Sequence, residues 1–129
     1  MKLYHATSCN NLENIKENGL SGEFTKVRPG VIHLACDILI AENYHEHWEQ
    51  SDTIIFSIEI QDLDLSKLGP DREDLMDILE QNEDERNWSD IDWKESLELS
   101  NNCTYQGMIP FDKLNIEKII ENENVFKIC

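Results

Sequence analysis

Two histidines, each set inside a short apolar run, are the residues of this chain whose types and spacing bear most directly on chemistry. His5 stands in Leu3-Tyr4-His5-Ala6-Thr7-Ser8, and His33 in Val31-Ile32-His33-Leu34-Ala35. The loop between the two runs holds Lys26 and Arg28, a basic pair in a chain with 27 acidic and 11 basic residues. An imidazole on a strand, followed by small hydroxyl residues and then by a second strand-borne imidazole after a basic loop, suits a grip on a nucleotide. Ring nitrogens bond ribose hydroxyls or, when protonated, phosphate, and the loop cations would hold a pyrophosphate. Each residue also has a plain reading: the histidines as strand residues bonded to backbone, and Lys26 and Arg28 as loop solubility.

Other candidates are weaker. His45 and His47 lie two apart on a helix pattern and so face different directions, which argues against joint ligation; no metal is expected. Cys9, Cys36, Cys103 and Cys129 show no CxxC spacing, and a reactive thiolate needs a positive neighbourhood. Free buried thiols in a reducing cytosol are expected. Ser8 reads as a helix cap rather than a nucleophile, because no Gly-x-Ser-x-Gly frame surrounds it. Glu95, Ser96 or Glu98 would add polar chemistry only if the acidic segment folds across a cleft; a solvated face is the alternative.

The elements that must position these residues follow from periodicity. Lys2 to His5 alternates as a strand, Leu12 and Ile15 mark a helix capped at Ser8 or Asn10, and Gly19 stops it. Val31 to Ala35 reads as a second strand. Asp37 is an N-cap for a helix carrying Ile38, Ala41, Tyr44 and Trp48 on one face. Thr53 to Ile60 is β-branched and apolar, the strongest strand in the chain, and is expected centrally. Residues 71–98 hold twelve acidic and three basic residues, a net charge of −9. Leu75, Ile78 and Leu79 give that segment a helical period, and Trp88, Ile91, Trp93 and Leu97 supply apolar anchors that a disordered tail would lack. Strands are expected again around Thr104 to Ile109, Ile116 to Ile120 and Val125 to Ile128. This is an α+β pattern in a single domain over 1–129, with an acidic helical insertion at about 71–98.

Composition narrows the partners. A net charge of −16 over 129 residues repels phosphate backbones and anionic membranes at long range, so nucleic acid is an unexpected partner. The first residues lack the apolar core of a signal peptide, and no apolar run reaches the length of a bilayer span. A soluble, cytoplasmic protein is expected.

Taken together, Tyr4-His5-Ala6-Thr7, Ile15 with Gly19-Leu20, Val31-Ile32-His33-Leu34-Ala35 and Ala41-Glu42-Asn43-Tyr44 resemble the ADP-ribosyltransferase superfamily. That superfamily includes poly(ADP-ribose) polymerase catalytic domains and RNA 2′-phosphotransferases. The resemblance implies a split β-sheet core with flanking helices and NAD, as substrate, in a cleft between two small sheets. His5 would hold the adenosine ribose, Ala6 and Thr7 would fix the carboxamide, and Arg28 would meet the pyrophosphate. His33 stands where the polymerase branch has a tyrosine and would pack on the nicotinamide; the run from Arg28 to Leu34 is closer to the His-Val-His-Leu strand of the phosphotransferases. Tyr44 is a cofactor-binding candidate, with core packing at helical spacing as the alternative. Tyr105-Gln106-Gly107-Met108-Ile109-Pro110 resembles the late element whose glutamate orients the nicotinamide ribose. Gln106 occupies that place, and an amide bonds a ribose hydroxyl but is no general base at neutral pH. His5, His33 and Gln106 are thus the catalytic candidates implied. The implied reaction is NAD-dependent transfer of ADP-ribose to a protein or small-molecule acceptor. Two alternatives stand beside it: a catalytically weak or inactive relative whose acidic surface docks onto a basic protein, and an RNA 2′-phosphotransferase, which would need more phosphate-binding arginines than Arg28, Arg72 and Arg86.

Overall fold

A computed structural model describes residues 1–22, 30–43 and 51–121. Its centre is an antiparallel six-stranded sheet of β1 (Lys2–Ser8), β2 (Ile32–Ala35), β3 (Thr53–Glu59), β4 (Leu68–Pro70), β5 (Asn102–Tyr105) and β6 (Asn115–Ile120), in the order β4-β5-β2-β1-β3-β6. Four helices accompany it: α1 (Leu12–Asn18), α2 (Ile38–Glu42), α3 (Arg72–Gln81) and α4 (Trp93–Ser100). The architecture is α+β. The apolar run of β3 does form an interior strand, between β1 and β6, although the middle of the sheet belongs to β2 and β1.

Two small sheets are not what the backbone forms: the halves β4-β5-β2 and β1-β3-β6 are one sheet, joined through the single register pair Tyr4 with Ala35. Every residue of β1 has a partner on β3, whereas only Tyr4 has one on β2. The seam between the halves is therefore the thinnest hydrogen-bonded junction in the sheet.

Strand alternation distributes the core. One face carries Leu3, Ile32, Leu34, Ile54, Phe56, Ile58, Cys103 and Tyr105, covered by Ile15 of α1 and Leu97 of α4. The opposite face carries Ala6, Ala35 and Ile55, against which Ala41 of α2 packs. A separate cluster of Leu75, Leu79 and Ile91, with Trp88 against it, fastens the acidic segment to itself. That segment folds as expected from its apolar period: α3 and α4 with an N-cap aspartate each, Asp71 accepting from the Asp74 amide at 3.1 Å and Asp92 from the Glu95 amide at 2.8 Å.

Asp37 caps α2 as expected, accepting from the Leu39 amide at 2.9 Å, whereas Ser8 Oγ accepts from the Asn10 amide at 3.1 Å to cap a 3₁₀ turn, Cys9–Asn11, ahead of α1, whose own N-cap Asn11 makes no side-chain cap bond. Gly19 ends α1 at φ +81°, where a Cβ would meet the Met108 sulfur and lie 2.8 Å from the Ile109 carbonyl oxygen. Glycine is required there twice over, by its backbone angle and by the antiparallel bridge of Leu20 with Ile109. The helix after Asp37 is described as far as Asn43; Tyr44, Trp48 and the expected strand Val125 to Ile128 lie outside the described residues.

Candidate functional site

His5 occupies the middle of β1, opposite Phe56 of β3, and is partly buried. Its Nδ1 lies 2.7 Å from the His33 carbonyl oxygen. A carbonyl only accepts, so Nδ1 carries the proton and Nε2 is left with its lone pair. Burial pushes the imidazole down to about 4, since the charged form is desolvated there, against a smaller upward pull from the bonded carbonyl. His5 is thus a neutral imidazole of fixed tautomer that bridges the thin seam from β1 to β2.

His33 is brought to His5 by its backbone and not by its ring. His5 lies in register with Phe56, a residue of the larger core, while His33 alternates with Ile32 and Leu34 of that same core, so the two rings project from opposite faces of the sheet. On its own face His33 pairs in register with Thr104 of β5, which bonds the Pro70 carbonyl through Oγ1 at 3.1 Å. The strand β4 ends there, and the next residue, Asp71, puts its Oδ2 3.2 Å from His33 Nδ1. The His33 side chain is 15% exposed and that of Asp71 3%. No partner for His33 is visible in the sequence, because Asp71 lies 38 residues further on.

Ala6 and Thr7 are structural as well as adjacent to His5. The Ala6 methyl packs with Ala35, Ala41 and Ile55, and the buried Thr7 hydroxyl accepts from Asn11 Nδ2 at 3.0 Å. Gln106 follows the last residue of β5, is exposed, and is fixed through its backbone, whose amide donates to the Lys67 carbonyl at 2.9 Å. The chain turns at Gly107, where a Cβ would sit 2.9 Å from the Tyr105 ring. Arg28, Lys26, Tyr44, His45 and His47 lie outside the described residues.

The remaining candidates resolve into supporting roles. Ser96 is fully buried; its Oγ donates to the Asn102 carbonyl at 2.7 Å and accepts from the Asp71 amide at 3.0 Å, so it positions the Asp71 cap. Glu95 pairs with Arg86 at 2.8 Å on the surface. Asp74 receives the Asn102 side-chain amide at 2.6 Å, and its carboxyl is held above the usual range, by burial first and by the neighbouring Asp71 charge second. Cys103 is fully buried and its thiol is pushed up to about 12, mainly by burial, which makes it unsuited to act as a nucleophile. Cys36 and Cys103 are free, whereas Cys9 is disulfide-bonded, which corrects the expectation that all the thiols are free. No helix among the described residues is long and apolar enough to cross a membrane. No family model and no curated protein sequence matches the chain.

Proposed function

We propose that the protein is an NAD-dependent ADP-ribosyltransferase-like enzyme whose nucleotide lies along the seam between β1 and β2. The observation that carries this reading is the His5 bridge: a neutral imidazole, its tautomer set by the His33 carbonyl, standing where the two halves of the sheet share one register pair. Strands that part after a single pair leave room for a flat amide or a ribose to bond backbone and side-chain groups along both edges. His5 would offer Nε2 to a ribose hydroxyl, with the Ala6 and Thr7 backbone fixing the carboxamide and the exposed Gln106 reaching the nicotinamide ribose. Arg28 and Tyr44 would complete the pyrophosphate and base contacts.

The chemistry would be cleavage of the bond between nicotinamide and ribose through an oxocarbenium-like state, with ADP-ribose passed to a protein or small-molecule acceptor. Such a step depends on positioning and charge stabilisation more than on an activated nucleophile.

The test is nicotinamide release from NAD by the purified protein. Turnover should fall about 100-fold or more in His5→Ala, and should also fall in Gln106→Ala, with both variants folded. Absence of turnover across a panel of acceptors would sink the enzyme reading. One observation then favours the second reading, an acidic docking module: the insertion at 71–98 is ordered by its own core and caps, while seven of its twelve carboxylates are exposed. A preorganised anionic surface would steer a basic protein partner.

A further inference from the structure

His33, Asp71 and Glu73 form a cluster on the sheet face opposite the His5 ring, separate from the nicotinamide contact that the resemblance implies for His33. One potential ligand atom from each lies within 4.8 Å of the others. The corner between β4 and α3 creates it: Gly69 and Pro70 pair with Thr104 and Cys103 of β5, so the chain leaves the sheet beside His33 and starts α3 with Asp71 as its cap. Asp71 Oδ1 is occupied by the Asp74 amide, which leaves Oδ2 for His33. Glu73 Oε1 is bound by Arg72 at 2.9 Å.

Two polar atoms of this cluster are enclosed and lack a hydrogen-bond partner among the described residues: His33 Nε2 and Glu73 Oε2. Enclosed polar atoms without partners are costly and uncommon, and Glu73 Oε2 points to a missing ligand, while an ion held by His33 Nδ1 would leave Nε2 to a separate partner. Both sides of the cluster supply lone pairs, since a carboxylate accepts only and a neutral imidazole keeps one unprotonated nitrogen. A metal cation would satisfy such lone pairs, as a hydrogen-bond donor would.

We propose that His33, Asp71 and Glu73 bind one divalent transition-metal ion, with zinc the best match. The donor set is one imidazole and two carboxylates, which suits a borderline cation; magnesium and calcium prefer all-oxygen shells of six or more. His33 Nδ1 donates to Asp71 Oδ2 at 3.2 Å, and an ion that displaces this proton would find the two atoms near the roughly 3.3 Å that separates two ligands of a tetrahedral zinc ion. A Glu73 carboxylate oxygen lies within 4.8 Å of the other two ligand atoms and would have to move closer to share the ion. Two carboxylates outweigh the opposing field of the α3 N-terminus and of Arg72, and three protein ligands leave a fourth position for water.

The experiment is calorimetric titration of zinc chloride into chelator-treated, dialysed full-length protein with no NAD present, so its outcome is independent of any turnover. One ion should bind per chain, and zinc should raise the melting temperature. His33→Ala and Glu73→Gln should each weaken binding by about tenfold or more, while Asp84→Asn, remote from the cluster, leaves it unchanged. Cobalt in place of zinc should give visible ligand-field bands that are lost in Glu73→Gln, a variant chosen because its side chain is partly exposed and its amide is nearly isosteric. Binding of no ion, equal affinity in the wild type and both cluster variants, or magnesium binding as tight as zinc would each overturn the proposal.

Discussion

At the scale of single residues, His5 shows how a strand position decides a protonation state. Its ring is desolvated and its Nδ1 proton is committed to the His33 carbonyl, so the folded protein resists protonation down to about pH 4 while the unfolded chain takes up the proton near 6.5. The unfolded state therefore binds more protons between these values, and His5 must lower stability as pH falls, with a slope of up to about 1.4 kcal/mol per pH unit over that window. Chemical denaturation at intervals from pH 7 to pH 4 should show a shallower decline in His5→Asn than in the wild type. Parallel declines would mean that His5 titrates normally. The imidazole itself was legible as a candidate from the sequence, as was its strand. What it bonds was not, because the His33 carbonyl is 28 residues away and enters only through the register of β2 beside β1.

At the scale of elements, the acidic segment is held by a few apolar side chains and by its caps. Leu75 is fully buried and Leu79 nearly so, one turn apart on α3, whereas Met76 on the neighbouring face is 54% exposed. Leu75→Ala should cost about 2–5 kcal/mol by removing core contacts and leaving a cavity; Met76→Ala should cost well under 1 kcal/mol. Equal losses in urea denaturation would mean that α3 is not seated by that face. The apolar period of Leu75, Ile78 and Leu79 was readable in advance, and so were the cap at Asp37 and the stop at Gly19, because each depends on neighbours within four residues. The pairing of strands was not readable. The late strand closes against β2 on one side and β4 on the other, and β4 itself, a three-residue strand at Leu68–Pro70, carries too short a pattern to be seen in a stretch that reads as a turn.

At the scale of the whole molecule, charge is the dominant property. With a net charge of −16, the folded chain repels itself, and the surface ion pairs of Arg86 with Asp84 and Glu95 or of Lys118 with Glu42 offset little of that. Raising sodium chloride from about 0.01 to 0.15 M shortens the screening length from about 30 to 8 Å. The melting temperature should rise accordingly. A fall would show that the exposed ion pairs contribute more than the net repulsion.

The amino-acid order alone determined the α+β class, the helical nature of the acidic segment and the cap at Asp37, and it marked His5, His33 and Gln106 as candidates, since these rest on composition and on periods a few residues long. The tertiary structure decided which of those groups meet. Register joined two halves of a sheet through Tyr4 and Ala35, gave His5 the His33 carbonyl, turned the two imidazoles to opposite faces and brought Asp71 and Glu73 to His33. Alternation along a strand fixes which face a side chain takes only after its partner strands are known, and that information lies in contacts tens of residues apart.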